Sequence, residues 1–130
     1  MNKVRAARVA TVIVGAGALV LGMQGSAWAA EKIPVSGGYG QWQADPSGSV
    51  PGDSIRACDT AADGWGVRVM LDIGRNGTMD RVATTQGNDS PYCTGWKSGN
   101  IPEGTEVRVW VQKVKGDTLH NDMVAVNYIA

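Results

Sequence analysis

The sequence contains no phenylalanine and one histidine, and only two of its 130 residues are cysteine. A lone histidine leaves little material for a relay or an imidazole metal site. Two cysteines exclude a disulfide-dense scaffold and a thiolate metal cage. Beyond the N-terminal segment there is no apolar run long enough to cross a membrane, no internal repeat and no amphipathic helical period. Nor does charge of one sign dominate. Lys+Arg and Asp+Glu are both 12, so the formal charge is zero.

That zero hides an asymmetry. The N-terminus reads MNKVRAARVATVIVGAGALVLGMQGSAWAA. Lys3, Arg5 and Arg8 form a basic region, Val9 to Met23 an uncharged apolar region, and Ala27-Trp28-Ala29 a small-x-small cleavage pattern. This predicts a secretory signal peptide over residues 1–29 in a bacterial style, with cleavage before Ala30. The apolar run is short for a membrane span and is broken by Gly15, Gly17 and Gly22. Removing three basic residues leaves nine against twelve acids, a net of −3. Nucleic acid and anionic membranes demand clustered Lys and Arg, so neither is expected as a partner. The expected location is extracellular.

Roughly 100 remaining residues make one domain. Residues 30–39 carry Pro34, Gly37 and Gly38 without periodicity and are expected to be a flexible tail. Residues 40–130 are expected to form a single β domain. Gly and Pro recur at short spacing between runs of Val, Thr, Ile and Trp, which predicts an all-β fold: a small antiparallel β-sandwich of immunoglobulin-like kind, or a small barrel. In WGVRVMLDI, Trp65, Val67, Val69, Leu71 and Ile73 share one face, and Arg68, Met70 and Asp72 the other. Asn76-Gly77 then suits a two-residue type I′ turn, which would set Leu71 opposite Val82 and Asp72 opposite Arg81. Glu106 to Val114 alternates likewise, with Val107, Val109 and Val111 against Arg108, Trp110 and Gln112. Lys115-Gly116-Asp117 begins a turn. Met123 to Ile129 is apolar on both faces, as a central or covered strand would be. Gly40 to Ala44 and Ser54 to Asp59 are weaker strands, and Thr85 to Asn100 is a long loop with room for one short strand.

Motifs for chemistry are sparse. His120 lies between Asp117 and Asp122 in a stretch that reads as a solvated turn. Asp72, Asn76, Gly77 and Asp80 match four offsets of a calcium loop, but Gly74 and Ala83 stand where ligands are required; no metal and no cofactor is expected. Asn76-Gly-Thr78 and Asn88-Asp-Ser90 are glycosylation sequons, relevant only in a host that modifies them. No enzymatic function is predicted. The aromatic choice is more informative. The expected mature chain holds Trp42, Trp65, Trp96 and Trp110 with Tyr39, Tyr92 and Tyr128. Trp and Tyr combine an apolar ring with a polar handle and are enriched at interfaces. Trp110, Arg108, Trp96 and Tyr92 are the candidate binding residues, for an extracellular protein or a carbohydrate. They predict a secreted, non-enzymatic binding protein, an inhibitor or adaptor being two forms it could take. The competing expectation is a structural protein of the cell envelope.

The spans DGWGVRVML and RVATTQGNDSPYCTGWKSGNIPEGTEVRVWVQKVKGD resemble small secreted single-domain β proteins of actinomycetes, most of them without an assigned function. The resemblance implies secretion and a compact β fold and brings no catalytic residues. In size the chain also resembles the small secreted hydrolase inhibitors of those bacteria. It lacks the Trp-Arg-Tyr motif of the tendamistat-like amylase inhibitors and has one possible disulfide where those have two.

In an oxidising compartment the default for Cys58 and Cys93 is one disulfide. Closing a loop of about 35 residues restricts the unfolded chain by about 3–4 kcal/mol. Replacing both cysteines by serine should therefore lower the unfolding free energy by about that amount in a urea titration. An unchanged midpoint would show that no such bond stabilises the fold.

Overall fold

The computed structural model describes residues 30–130, so the expected signal peptide lies outside the described residues. Eight strands are present among the described residues: β1 Glu31–Val35, β2 Gly38–Gln43, β3 Ser54–Asp59, β4 Gly66–Ile73, β5 Arg81–Thr84, β6 Tyr92–Cys93, β7 Glu106–Lys115 and β8 Thr118–Ile129. They form two antiparallel four-stranded sheets, in the orders β1-β2-β3-β6 and β5-β4-β7-β8. The architecture is a small all-β sandwich. Its strand order is not that of an immunoglobulin domain, where the second and third strands belong to opposite sheets; here β2 pairs with β3. Cys58 and Cys93 are bonded and directly opposed in the β3–β6 pair.

The core follows from alternation. Ile33, Trp42, Ile55 and Ala57 of the first sheet meet Val67, Val69, Leu71, Val107, Val109 and Val111 of the second. Each fully buried Val or Leu contributes roughly 1.5–3 kcal/mol. Gly40 faces inward too, and a Cβ there would lie 2.5 Å from Val111 Cγ2 and 2.8 Å from Val69 Cγ2. The missing side chain lets β2 approach the second sheet. Trp42 stacks on Tyr128 of β8, with ring centroids 5.8 Å apart. Burial raises the Tyr128 phenol well above its ordinary pKa, and the nearby Glu31 carboxylate adds to the shift.

Three expectations about the strands and their pairing require correction. Residues 30–39 are not a loose tail: they form β1 and the start of β2, which pair from Glu31↔Trp42 to Val35↔Gly38. Ile33, 2% exposed, is the residue that anchors this segment. β8 is not central. It is an edge strand that runs from Thr118 and leaves Met123 46% exposed.

The third correction is the β4–β5 register, which is shifted by one residue. Met70 faces Val82 and Leu71 faces Arg81. Asn76-Gly77 does not make a two-residue turn. The buried Asp72 carboxylate accepts the backbone N–H groups of Asn76 and Gly77, each at 2.9 Å, and Asp80 accepts that of Ile73 at 2.7 Å. These bonds close a wider loop through positive φ at Gly74, Arg75 and Gly77. They also occupy the carboxylates of the calcium-like fragment. Arg81 consequently starts on the core side, and its guanidinium leaves between the sheets to donate to the Asp53 carbonyl. Burial lowers the Arg81 pKa, while Asp53 and Asp80 oppose that shift. Two-residue turns occur instead at Ser36-Gly37, between the paired Val35 and Gly38, and at Gly116-Asp117, between the paired Lys115 and Thr118. Gly116 there has φ +58, which glycine tolerates.

Two measurements follow. Gly40→Ala should lose about 1–3 kcal/mol by overpacking, whereas Gly95→Ala, where a Cβ meets nothing within 4 Å, should be close to neutral in the same urea titration. A folded protein that tolerates Gly40→Ala equally well would contradict the tight sheet contact. Because the fold favours the neutral phenol, the Tyr128 contribution is complete below its unfolded pKa of about 10 and is lost as pH rises toward the folded value. In a spectrophotometric titration of wild type against Tyr128→Phe, the difference signal should emerge only with alkaline unfolding. Ionisation of Tyr128 near pH 10 in the folded protein would contradict its burial.

Candidate functional site

Alternation on β4 and β7 sends Arg68, Met70, Arg108, Trp110 and Gln112 to the outward face of the second sheet, as the periodicity predicts. Strand pairing adds what periodicity could not. Met70 is opposite both Val82 and Trp110, and Trp110 is opposite Ala125. An apolar row, Val82–Met70–Trp110–Ala125, therefore crosses all four strands. Val82 is 43% exposed, and Met123 extends the row diagonally.

Polar residues frame this row. The Arg108 guanidinium sits 5.7 Å from the Trp110 ring centroid and its Nε donates to Asn127 Oδ1 at 2.8 Å. On the other side Arg68 Nη2 reaches Gln112 Oε1 at 3.5 Å. Two donors within the frame, Trp110 Nε1 and Arg68 Nε, are covered and have no hydrogen-bond partner among the described residues. A buried donor without an acceptor costs about 1–3 kcal/mol.

Trp96 and Tyr92 do not join this surface. Trp96 lies 4.7 Å from the Arg56 guanidinium. Arg56 points outward from the first sheet, since its neighbours Ile55 and Ala57 fill the core, and its Nε donates to Gln41. Tyr92 belongs to β6, opposite Asp59. The four candidate residues thus divide: Arg108 and Trp110 share one face of the sandwich, while Trp96 stands on the opposite face and Tyr92 at the β6 edge. The disulfide explains the split, because tying β6 to β3 carries the neighbouring loop to the first sheet.

A second feature has no single-residue signature in the sequence. At the end of the sandwich where β4 begins and β5 finishes, a cleft of about 740 Å³ is lined by Trp65, Asp59, Gln86, Asn88, Asp89 and Lys115 together with small residues. Trp65, expected on the core face, is only half-buried. His120 packs edge-on against it at 5.1 Å and 86°. The Trp65 backbone N–H donates to Asp63 Oδ1 at 3.0 Å, and Asp63 pairs with Lys113 at 3.1 Å. That backbone bond is the leading cause holding the Asp63 carboxyl below its ordinary pKa. His120 lies in β8, not in a turn. Its Nδ1 accepts the Asp122 backbone N–H, and Asp122 Oδ2 accepts that of Ser36 at 2.6 Å. Both groups therefore brace local structure.

Among the described residues no group of three or more His, Cys, Asp or Glu side chains could hold a metal ion. No helix among them is long and apolar enough to cross a membrane. Comparison with protein families, curated proteins and solved structures finds no match.

Proposed function

We propose that this is an extracellular, non-enzymatic binding protein that grips a partner protein with the outward face of its β5-β4-β7-β8 sheet. The observation that carries this reading is the apolar row Val82–Met70–Trp110–Ala125 beside two unpaired donors, Trp110 Nε1 and Arg68 Nε. A central Trp within an arginine-containing polar frame has the composition of an interface hot spot. The partner chemistry follows from the frame. Arg68 and Arg108 flank the row, so the matching surface presents an apolar side chain bordered by carboxylates or backbone carbonyls. Small side-chain shifts on docking would let those acceptors reach the two donors. A hydrolase inhibitor or an adaptor would both use such a face. The disulfide is compatible with an oxidising, extracellular setting.

The face can be tested by photo-crosslinking. A photoreactive residue at Thr84, beside the row, should capture a discrete protein from native culture supernatant, and one at Lys32 on the opposite sheet should not. Adding Trp110→Ala to the Thr84 probe should reduce capture by at least about tenfold, as loss of a hot-spot Trp costs 2 kcal/mol or more. Equal capture from both faces, or capture indifferent to Trp110→Ala, would reject this surface. Self-crosslinked assemblies without a partner would instead favour the envelope reading, for which the exposed Leu119 and Met123 of the β8 edge provide apolar contact.

A further inference from the structure

We propose that the cleft beside Trp65 is a saccharide-binding site, separate from the Trp110 face. Its volume of about 740 Å³ falls within the range of small-ligand pockets. The space exists because much of the lining is small: Ala61, Ala62, Gly64, Gly66, Gly87 and Gly116 contribute no large side chain. At Gly87 and Gly116 an added Cβ would meet nothing within 4 Å, so the opening at these positions is not occupied by other described residues.

The remaining lining selects the ligand chemistry. A sugar ring has an apolar C–H face and a rim of hydroxyls that both donate and accept. One aromatic ring plus a set of amide and carboxylate groups is the matching surface. Trp65 is the one aromatic residue in the lining, and Asp59, Asn88 and Asp89 stand with it. Gln86 holds the wall in place by donating from Nε2 to the Gly116 carbonyl at 3.0 Å. An apolar ligand would find little beyond Trp65, Val114 and two alanines. A polyanion would meet Asp59 and Asp89, and an inorganic cation would meet Lys115. A neutral oligosaccharide avoids all three conflicts.

Trp65 is also restrained before any ligand arrives. His120 meets its ring in a T-shaped contact, Asp63 holds its backbone, and the Lys113 and Lys115 ammonium groups lie 6.0 and 5.9 Å from its ring centroid. An immobilised platform loses little entropy on binding.

The experiment is an NMR titration of the ¹⁵N-labelled protein with the hexaoses of chitin, cellulose, xylan and starch, each taken to millimolar concentration. At least one should shift the Trp65 indole N–H together with the Gly87, Asn88 and Gly116 amides. Trp65→Ala should weaken that binding by at least about tenfold, and Asn88→Ala should weaken it while leaving the fold intact. Trp65→Tyr, which keeps a ring, should retain part of the affinity and serves if Trp65→Ala does not fold. Trp110→Ala should bind saccharide like wild type, so failure here is distinguishable from failure of the protein-binding face. The proposal is overturned if none of the four hexaoses shifts these resonances, or if binding survives both Trp65→Ala and Asn88→Ala unchanged.

Discussion

The close approach of the two sheets at Gly40 sets the terms for the rest of the molecule. Because β2 carries no side chain there, Val69 and Val111 of the second sheet can occupy the space directly beneath its backbone. A core built largely of valines then closes the sandwich without phenylalanine. Two large rings of the core, Trp42 and Tyr128, stack between β2 and β8. Beside β5 the Arg81 side chain reaches the Asp53 carbonyl. A bulky residue at position 40 would force the layers apart and disturb each of these contacts.

A core that consumes so few aromatic side chains leaves the others for the surface. Trp110 is displayed on the outer face of the second sheet, Trp96 under Arg56 on the first, and Trp65 at the cleft end. The three tryptophans thus occupy three separate environments. Rigid strands hold Trp110, whereas a braced strand start holds Trp65. A protein partner suits the broad row around the former, and a compact polar ligand suits the recess around the latter. The two readings differ in geometry because a sheet face is flat and a gap between connecting loops is concave.

Much of the fold was legible in the residues. Alternation in Trp65–Ile73 and Glu106–Val114 identified two strands, within a residue of the observed β4 and β7, and the buried faces of both, and β3 was located at its observed bounds. Outward Trp110, Arg108, Met70 and Arg68 were readable for the same reason. The β4–β5 pairing was misread because Asn76-Gly77 is the preferred pair for a tight turn, while the deciding groups were the Asp72 and Asp80 carboxylates reaching the loop backbone. That one-residue shift moved Val82 outward and so completed the outward-facing row. β1 was missed because its strand character is weak in isolation; pairing with β2 and the burial of Ile33 stabilise it.

The sequence by itself determined which residues face in or out along each strong strand, because side chains alternate along an extended backbone whatever the partner strand is. It also determined the disulfide pairing, since only two cysteines exist. Only the tertiary structure decided which outward residues share a face. Cross-strand neighbours depend on register and sheet order, and these are set by loop hydrogen bonds and long-range packing rather than by local pattern. For that reason Trp110 and Trp96, a pair to the eye in the sequence, stand on opposite sides of the sandwich, while Trp65 and Asn88, far apart in the chain, line one cleft.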